Sequence, residues 1–402
     1  MRIQQPQSAA LQRYLNVSDV RAGAKKRLPR AIFEFIDRGT EDDIAVAHNR
    51  DAFDQIKLLH RAFVDVSGRT HATTLFGVPL AMPLAIAPTG FAGLCWFDGE
   101  IELARAAASA NIPFTLATGS IASIERVADA VRASTGTRLW FQLNVWQRRD
   151  LSHLLIERAA HAGFEALIVT VDTPVSSNRE YNVRNGFQQP FAPSPRLILD
   201  FLRHPRWCAG VLLPYLLKTG MPRNAHHPTD AEIETDAGEV DRTESMRCDS
   251  LSWDDLRMIR RLWRGPLLIK GVNRRDDALR AVTYGVDGIV VSNHGGRNMD
   301  SAAAALSVLP EIVEAVGTRT AVIVDSGVRR GADILKALAL GAQLVLVGRA
   351  ALYGTAIGGA DGAAHVLQIL RRELDRTMAY TGCHSVAEID SGVLHRTGSI
   401  GK

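Results

Sequence analysis

Short, uniformly apolar segments recur along most of the chain, and amphipathic segments separate them. Eight apolar runs lie between residues 84 and 349, and each ends in polar or glycine residues. Runs that lack apolar–polar alternation are typical of strands buried on both faces, as in a parallel sheet. The runs are Leu84–Pro88, Pro113–Thr118, Leu139–Asn144, Ala166–Asp172, Pro266–Gly271, Gly288–Asn293, Thr320–Gly327 and Leu344–Arg349.

The segments between the runs have helical character, and this alternation predicts the fold class. Eight strand–helix units indicate an α/β protein with a (β/α)8 TIM barrel. We expect a single domain over residues 1–402, with the barrel at about 83–380 and an N-terminal helical extension that includes Ala31–Ile36. The predicted barrel helices include Glu100–Ala110, Ser120–Ala133, Ser252–Arg264 and Gly331–Leu340.

The fourth and fifth runs are separated by far more than one helix. This spacing predicts an insertion at about residues 185–250, on the barrel face that carries active sites. Its first half, Asn185–Asn224, is basic and apolar, whereas His226–Ser245 is acidic and predicted to be mobile. The apolar stretch Trp207–Leu217 fits either a lid or subunit contact, which the residues alone favour, or an interfacial membrane anchor. It is too short to span a bilayer.

The composition excludes several classes of protein. The net charge of +4 is small for 402 residues, so nucleic-acid binding is not indicated. The N-terminus lacks the apolar core of a signal peptide, which favours an intracellular protein. Four cysteines without CxxC spacing or a histidine at metal-ligand spacing predict reduced thiols, with neither disulfides nor a metal site. They are Cys95, Cys208, Cys248 and Cys383.

The polar residues that end the strands carry the predicted chemistry, because reactive groups of such barrels gather there. His294 follows the sixth run, precedes two glycines and lies three residues before Arg297. An imidazole accepts a proton near neutral pH, and a guanidinium holds a carboxylate through two parallel hydrogen bonds. Deprotonation next to a carboxylate requires this combination, so we predict that both residues are catalytic.

Other polar strand ends allow more than one interpretation. Asp172 could orient His294 and stabilise its imidazolium, or it could cap a turn. Arg179 could contact an anionic substrate or form a loop salt bridge. Lys270 needs an anion if it is buried, which could be a cofactor that becomes negative on reduction or a barrel carboxylate. Glycine-rich turns after the seventh and eighth runs are typical of a phosphate site.

From about Val17 to Tyr380 the chain resembles the FMN-dependent L-2-hydroxy acid dehydrogenase and oxidase family. The sequence SNHGGRNMD at Ser292–Asp300 resembles the family's active-site signature. KKRLP, APTG, FQLNV, TVDTP, IKGV, DSGVRRG and GRALYG follow in the family's order. HPRW and GMP within the insertion resemble the membrane-associated mandelate dehydrogenase branch, in which the insertion binds the membrane. This likeness gives the anchor interpretation more weight.

The resemblance implies a role for each matching residue and implies FMN as the cofactor, with no metal. His294 is then the base and Asp172 its partner, while Arg297 and Arg179 bind the substrate carboxylate. Lys270 stabilises the reduced flavin. The residues at the flavin ring are Pro88, Thr89, Gly90, Gln142 and Thr170, and those at the ribityl-phosphate end are Asp325, Gly327, Arg329, Gly348 and Arg349.

Two pocket residues depart from the family pattern. Phe35 and Asn144 occupy positions where the family usually has tyrosines that bind the substrate's carboxylate and stabilise its oxygen. Phe35 cannot donate a hydrogen bond, and Asn144 is shorter than tyrosine. Ala117 replaces a flavin-contacting serine that is common in the family. We therefore expect a reshaped substrate site that disfavours small acids such as glycolate or lactate.

The predicted activity is FMN-dependent oxidation of an L-2-hydroxy acid, bulky or aryl like mandelate, to the 2-oxo acid. Gly90 and the insertion favour a quinone as electron acceptor, and an oxidase that converts O2 to H2O2 is the alternative. Phe35 and Asn144 keep open an FMN-binding barrel with different chemistry, such as a redox-neutral isomerase. The resemblance also implies a homotetramer, which we expect in the cytoplasm, peripheral on the inner face of the membrane.

Overall fold

Eight parallel strands form a closed barrel in the computed structural model, which describes residues 9–134, 136–187, 194–227 and 248–396. Each strand pairs with the next along the chain, and the eighth pairs with the first, which confirms the TIM barrel. The predicted runs extend past several strand ends because their last residues turn into the loops above the barrel. The strands are β1 Leu84–Ile86, β2 Phe114–Ala117, β3 Leu139–Asn144, β4 Ala166–Thr170, β5 Leu267–Val272, β6 Gly288–Val291, β7 Ala321–Val324 and β8 Leu344–Val347.

A helix follows each strand and packs on the outside of the barrel. The last helix is much longer than the others and is kinked at Gly358 and Gly359, whose backbone angles are not helical. The helices are α1 Gly99–Ser109, α2 Ile124–Val131, α3 Arg149–His161, α4 Trp253–Leu262, α5 Arg275–Thr283, α6 Ala305–Val316, α7 Gly331–Ala339 and α8 Arg349–Thr381.

The apolar side chains of the strands form two layers because successive residues of a strand point to opposite faces. In β1, Ala85 belongs to the barrel interior, whereas Leu84 and Ile86 belong to the layer under the helices. Trp140 and Leu346 also lie in the interior. An antiparallel hairpin, Thr73–Leu75 with Val78–Leu80, packs against this interior at the N-terminal end of the barrel. The opposite end is therefore where a ligand can enter.

The N-terminal extension brings one helix to the mouth of the barrel. The predicted short helix is confirmed at Arg30–Asp37, and it buries Ile32, Phe33 and Phe35. It reaches the barrel from outside the strand–helix repeat, so residues from the start of the chain join the strand ends. The remaining elements of the extension and tail are Ala9–Leu11, Val17–Arg27, Ile44–Asp54, Ile56–Leu58, Val386–Glu388, Ser391–Val393 and Leu394–Arg396.

The insertion is confirmed between β4 and α4, and its first half is helical. The short helices Glu180–Asn185, Pro195–Leu202, Pro205–Trp207 and Leu213–Lys218 are joined in part by a π-helical turn at Cys208–Leu212. Trp207, Val211 and Tyr215, spaced four residues apart, are buried as one face. Trp207 Nε1 donates to the Leu94 carbonyl at 2.8 Å, and the Tyr215 hydroxyl accepts from the Asp98 amide at 3.0 Å. The insertion is therefore fixed to the β1–α1 loop.

The predicted mobile segment His226–Ser245 lies outside the described residues from 228 onward. For its first residue the prediction was wrong, because His226 is buried and its Nδ1 lies 2.9 Å from the Thr118 carbonyl. Within the described ranges, no helix combines the length and the apolar character needed to cross a membrane.

Candidate active site

A cavity of about 260 Å³ opens at the C-terminal ends of the strands. It is lined by every residue that the sequence singled out for the substrate or the flavin, and Asp172 lies behind His294. The fold thus brings together residues that are far apart in the sequence, from Phe35 near its start to Arg349 near its end. The predicted residues that line it are Phe35, Pro88, Thr89, Gly90, Gln142, Asn144, Thr170, Arg179, Lys270, His294, Arg297, Asp325, Gly327, Arg329, Gly348 and Arg349.

His294 is presented by a tight turn after β6. Its own φ is 56°, and Gly295 and Gly296 follow at 67° and 73°, which is a left-handed backbone that glycine adopts without strain. A Cβ atom on Gly295 would lie 2.5 Å from Nη1 of Arg349, and one on Gly296 would lie 2.7 Å from the Val46 amide nitrogen. Both glycines are required because other parts of the site approach them closely.

Asp172 and His294 form a hydrogen-bonded pair across the barrel mouth, although 122 residues separate them. His294 Nδ1 lies 3.0 Å from Asp172 Oδ1, which leaves Nε2 as the ring nitrogen available to a substrate. Burial lowers the pKa of His294, and the Asp172 carboxylate works against that decrease. Burial opposes ionisation of Asp172, yet His294 and Lys270 outweigh it and keep the pKa of this carboxyl low. At neutral pH the pair is therefore a neutral imidazole beside a carboxylate.

Two arginines lie beside this pair. Arg297 Nη1 donates to the carbonyls of Phe35 at 2.7 Å and Arg38 at 2.9 Å, and its guanidinium lies over the Phe35 ring at 5.2 Å. Burial and repulsion from Arg179 lower the pKa of Arg297 to about 10. Among the described residues, no carboxylate forms a salt bridge with Arg297. The two guanidinium groups therefore create a position where an anion would be stabilised.

Lys270 ends in a buried ion pair. Its Nζ lies 3.2 Å from Asp325 Oδ2 and donates to the Ser292 hydroxyl at 3.0 Å. Of the two anions considered for Lys270, a barrel carboxylate is the one present in this structure. Lys270 also lines the cavity, so it remains in reach of a second anion. Asp325 accepts from the Ser326 hydroxyl as well, at 2.8 Å, and is therefore already partly engaged.

A short hydrogen-bonded chain crosses β3 and β4 at the cavity floor. Gln142 Nε2 donates to Thr170 Oγ1 at 2.8 Å and to Asn144 Oδ1 at 3.0 Å. The Asn144 amide oxygen is thereby occupied, which leaves its NH2 group as the side-chain donor for a ligand. This chain fixes the orientation of two predicted ligand-contacting residues.

Two partly buried arginines, Arg329 and Arg349, lie near the ends of β7 and β8. Burial lowers the pKa values of Arg329 and Arg349, and within the described ranges neither forms a salt bridge. Arg349 Nε is buried with no hydrogen-bond partner there. A bound phosphate would satisfy this set.

The N-terminus of α7 contributes less to this anion site than the sequence suggests. Asp333 accepts hydrogen bonds from the amides of Arg329 at 2.8 Å and Arg330 at 2.9 Å, and Glu373 accepts from Gly331 at 2.8 Å. These donors are already used within the protein. The anion site therefore depends on the arginine side chains and on the start of α8.

Several residues of the site were not predicted as ligand contacts from the sequence. Phe91 lines the cavity with a left-handed backbone, φ 57°, and its ring contacts Phe35 edge-on at 6.2 Å. Phe187 packs on Phe35 at 5.1 Å. Ser292, within the quoted signature, also accepts from the His294 amide. Nothing local marks Phe187, because its contact depends on how the insertion folds back over the N-terminal helix.

The site fits a flavin mononucleotide. Arg329 and Arg349 provide partly buried positive charge for a phosphate, and Lys270 lines the same cavity. The described residues contain no group of three His, Cys, Asp or Glu side chains that could hold a metal ion.

Comparison with known proteins agrees with this geometry. The sequence matches the FMN-dependent dehydrogenase family over residues 24–396. It is 39% identical to (S)-mandelate dehydrogenase of Pseudomonas putida over 389 residues, which cover 96% of this chain and 95% of that protein. It is 41% identical to L-lactate oxidase of Nostoc sp. over 381 residues, covering 95% and 98% of the two chains.

A solved structure gives the same result at the level of the fold. The crystal structure of the monotopic membrane protein (S)-mandelate dehydrogenase superposes with a TM-score of 0.86 at 38% identity, covering 95% of this chain and 99% of that chain. The chain therefore belongs to the FMN-dependent dehydrogenase family, and it is an FMN-dependent oxidoreductase that acts on 2-hydroxy acids.

Proposed function

We propose that the enzyme oxidises an L-2-hydroxy acid with a bulky or aryl side chain, and that His294 is the catalytic base. The observation that carries this proposal is the His294 Nδ1–Asp172 Oδ1 contact of 3.0 Å at a cavity lined by Arg179 and Arg297. Nε2 of His294 accepts a proton from the substrate, either from Cα or from the hydroxyl group. Asp172 then stabilises the imidazolium that results.

The substrate is held through its carboxylate. Arg297 and Arg179 supply the positive charge, and their mutual repulsion is relieved when an anion binds between them. The carbonyls of Phe35 and Arg38 fix one nitrogen of Arg297, so the guanidinium loses little freedom on binding. Asn144 donates its NH2 group to a substrate oxygen in place of a tyrosine hydroxyl.

Bound FMN supplies the acceptor for the two electrons that leave the substrate. Pro88, Thr89, Gly90, Gln142 and Thr170 would line its ring. Lys270 would stabilise the negative charge that reduction produces. The ribityl-phosphate end would be held by Asp325, Gly327, Arg329, Gly348 and Arg349, all of which line the same cavity.

The shape of the site supports a bulky substrate. Phe35 and Phe91 line the cavity with ring centroids 6.2 Å apart, and Phe187 packs on Phe35 with centroids 5.1 Å apart. Aromatic side chains favour edge or offset contacts with a further ring. Asn144 is smaller than the tyrosine common in the family and leaves additional space.

The surface of the insertion supports peripheral membrane attachment and hence a quinone as electron acceptor. Exposed leucines lie beside basic residues, and Leu202 and Leu217 are 70% and 77% exposed. Apolar side chains flanked by positive charge favour the headgroup boundary of a bilayer. The (S)-mandelate dehydrogenase whose fold matches with a TM-score of 0.86 is described as a monotopic membrane protein. The other members of the surface are Ile198, Leu199, Arg203, Arg206, Leu213, Leu216, Lys218, Met221 and Arg223.

Anaerobic mixing of the FMN-loaded enzyme with a panel of 2-hydroxy acids tests the reaction. We expect (S)-mandelate to bleach the flavin absorbance faster than lactate or glycolate. His294→Gln should retain FMN but lose bleaching by at least about a hundredfold, because the proton acceptor is absent. Bleaching of H294Q at the native rate would show that another group is the base.

Reoxidation of the reduced enzyme by a soluble quinone, compared with O2, separates the dehydrogenase from an oxidase like the Nostoc relative.

Vesicle sedimentation tests the membrane surface. The holoenzyme should sediment with phosphatidylcholine vesicles that contain phosphatidylglycerol, and less with phosphatidylcholine alone. The substitutions L202E and L217E should each weaken binding about tenfold, since a charge enters the apolar face. L154E, at an exposed leucine of α3, is the matched control and should bind like the native enzyme. Equal binding of all variants would contradict the proposal.

We place the enzyme on the cytoplasmic face of the membrane, in keeping with four cysteines that form no disulfide. The homotetramer remains a prediction of the family resemblance. Light scattering of the detergent-free holoenzyme would measure the mass directly and compare it with the 43.8 kDa of one chain.

A further inference from the structure

A buried tyrosine that the proposed mechanism does not use lies next to the carboxylate-binding arginines. Tyr181 is only 3% exposed, and its hydroxyl has no hydrogen-bond partner among the described residues. Leaving a buried hydroxyl without a partner destabilises the fold, so such a group normally has a hydrogen-bond partner. The surroundings of Tyr181 therefore indicate its role.

The tyrosine ring lies within the arginine cluster. Arg38 places its guanidinium over the Tyr181 ring, 5.1 Å from the centroid. The Arg38 carbonyl accepts from Arg297 at 2.9 Å and from Arg349 at 3.0 Å. Tyr181 belongs to the helix Glu180–Asn185, which packs against Arg30–Asp37, the helix that carries Phe35. Tyr181 is not part of the cavity lining, but its side chain interacts with that of Arg297.

Arg297 needs such a neighbour. The described carbonyl contacts hold Nη1 alone, whereas an oxygen beside the guanidinium would fix the plane of the whole group. Repulsion from Arg179 lowers the pKa of Arg297, whereas the interaction with Tyr181 raises it. Tyr181 therefore counteracts part of the repulsion between the two arginines. The Phe35 ring covers the guanidinium at 5.2 Å but offers no oxygen.

We propose that Tyr181 is a positioning residue for Arg297: when the substrate carboxylate binds, the Tyr181 hydroxyl oxygen accepts a hydrogen bond from the guanidinium and holds it in line with that carboxylate. It performs this function because Phe35 contributes no hydroxyl at the same arginine. The inference rests on one part of the proposed function, namely that Arg297 binds the substrate carboxylate. Tyr181 itself does not touch the substrate.

Tyr181→Phe tests the proposal in the FMN-loaded enzyme. The substitution removes only an unpartnered hydroxyl and keeps the ring under Arg38, so folding and FMN content should be unchanged. The dissociation constant of phenylacetate, a carboxylate that has no α-hydroxyl group to be oxidised, should rise about tenfold, which equals about 1.4 kcal/mol. The limiting rate of flavin reduction by mandelate should change less than about threefold. An unchanged dissociation constant overturns the proposal.

Two further variants separate positioning from packing. Tyr284→Phe is the matched control, because Arg257 lies over that ring at 5.3 Å, far from the cavity, and phenylacetate should bind as in the native enzyme. The substitution F35Y adds a hydroxyl to a ring that already contacts Arg297, so the loss caused by Y181F should be smaller in the F35Y background. An equal loss in both backgrounds makes Tyr181 a packing residue and overturns the proposal.

Phenylacetate binding needs no turnover, so it tests Tyr181 separately from the proposed function. A native enzyme that binds phenylacetate but whose flavin no 2-hydroxy acid reduces would refute the proposed function and leave the role of Tyr181 standing.

Discussion

At the scale of single residues, the candidate site depends on two opposing effects on one imidazole. Burial lowers the pKa of His294, which keeps the ring neutral and ready to accept a proton. A base of very low pKa would accept a proton poorly, and Asp172 prevents this by stabilising the charged form. The carboxylate therefore sets both the orientation of the ring and its affinity for the proton.

Asp172→Asn should change both the rate and the pH profile. Without the carboxylate, the pKa of His294 falls further, so the ring remains a competent neutral base at lower pH. The acid limb of kcat/KM should move to lower pH, while the plateau falls by about a hundredfold or more because the imidazolium is less stabilised. Steady-state rates over a pH series measure both effects.

Asp150→Asn, at an exposed carboxylate of α3, is the control for Asp172→Asn and should leave the profile in place. A D172N profile with an unmoved acid limb and a native plateau would mean that Asp172 only fills space beside the ring.

At the scale of elements, the described part of the insertion is attached to the barrel at two places. Trp207 and Tyr215 fix its helices to the β1–α1 loop, which also carries Pro88, Thr89 and Gly90. At the other end, the His226 ring packs edge-on against Phe141, with centroids 5.8 Å apart. The surface that we propose to contact a membrane is in this way connected to the loop that carries the predicted flavin residues.

His226 makes this attachment sensitive to pH. Burial lowers its pKa to about 4, so the folded chain keeps the ring neutral where an unfolded chain protonates it. The unfolded state then binds more protons between about pH 6.5 and 4, and stability falls as the pH drops through this window. From about pH 7 to about pH 5, His226 should account for a loss of about 2 kcal/mol.

Urea unfolding of the native enzyme and of His226→Gln at these two pH values measures the contribution of His226. Glutamine can still donate to the Thr118 carbonyl but does not titrate, so the variant should lose less stability on acidification. An identical loss in both proteins would assign the pH dependence to other groups.

The barrel was predictable from sequence because each buried strand is an uninterrupted apolar run, and the order of the runs fixes a parallel barrel. The contacts across the barrel mouth were not predictable in detail. Asp172 and His294 meet only once β4 and β6 are placed in the same barrel. Tyr181 has no local signature, since its role depends on Arg38 and Arg297 arriving from opposite ends of the chain.

At the scale of the whole molecule, the barrel mouth is a concentration of positive charge that is partly withdrawn from solvent. Lys270, Arg297, Arg329 and Arg349 line one cavity. Lys270 pairs with Asp325, whereas the three arginines form no salt bridge among the residues that the structure describes. Uncompensated buried charge destabilises a folded protein, and a bound anion relieves the cost. We therefore expect two bound anions, the cofactor phosphate and the substrate carboxylate, to contribute part of the stability of the fold.

Arg349→Met should change stability in opposite directions in the two forms of the enzyme. In the apoenzyme the variant removes a buried charge whose Nε has no partner among the described residues, so its Tm should equal or exceed that of the native apoenzyme. With excess FMN the order should reverse, because the variant holds the phosphate less well. FMN at about a thousand times its Kd adds about 4 kcal/mol to the free energy of unfolding of the native enzyme, and weaker binding reduces this gain.

Arg319→Met, at an exposed arginine, is the control and should shift the Tm of neither form. R349M could instead lower the Tm of both forms equally. Arg349 would then stabilise the fold itself, through its 3.0 Å hydrogen bond to the Arg38 carbonyl. That result would also mean that the positive charge at the barrel mouth is compensated without FMN.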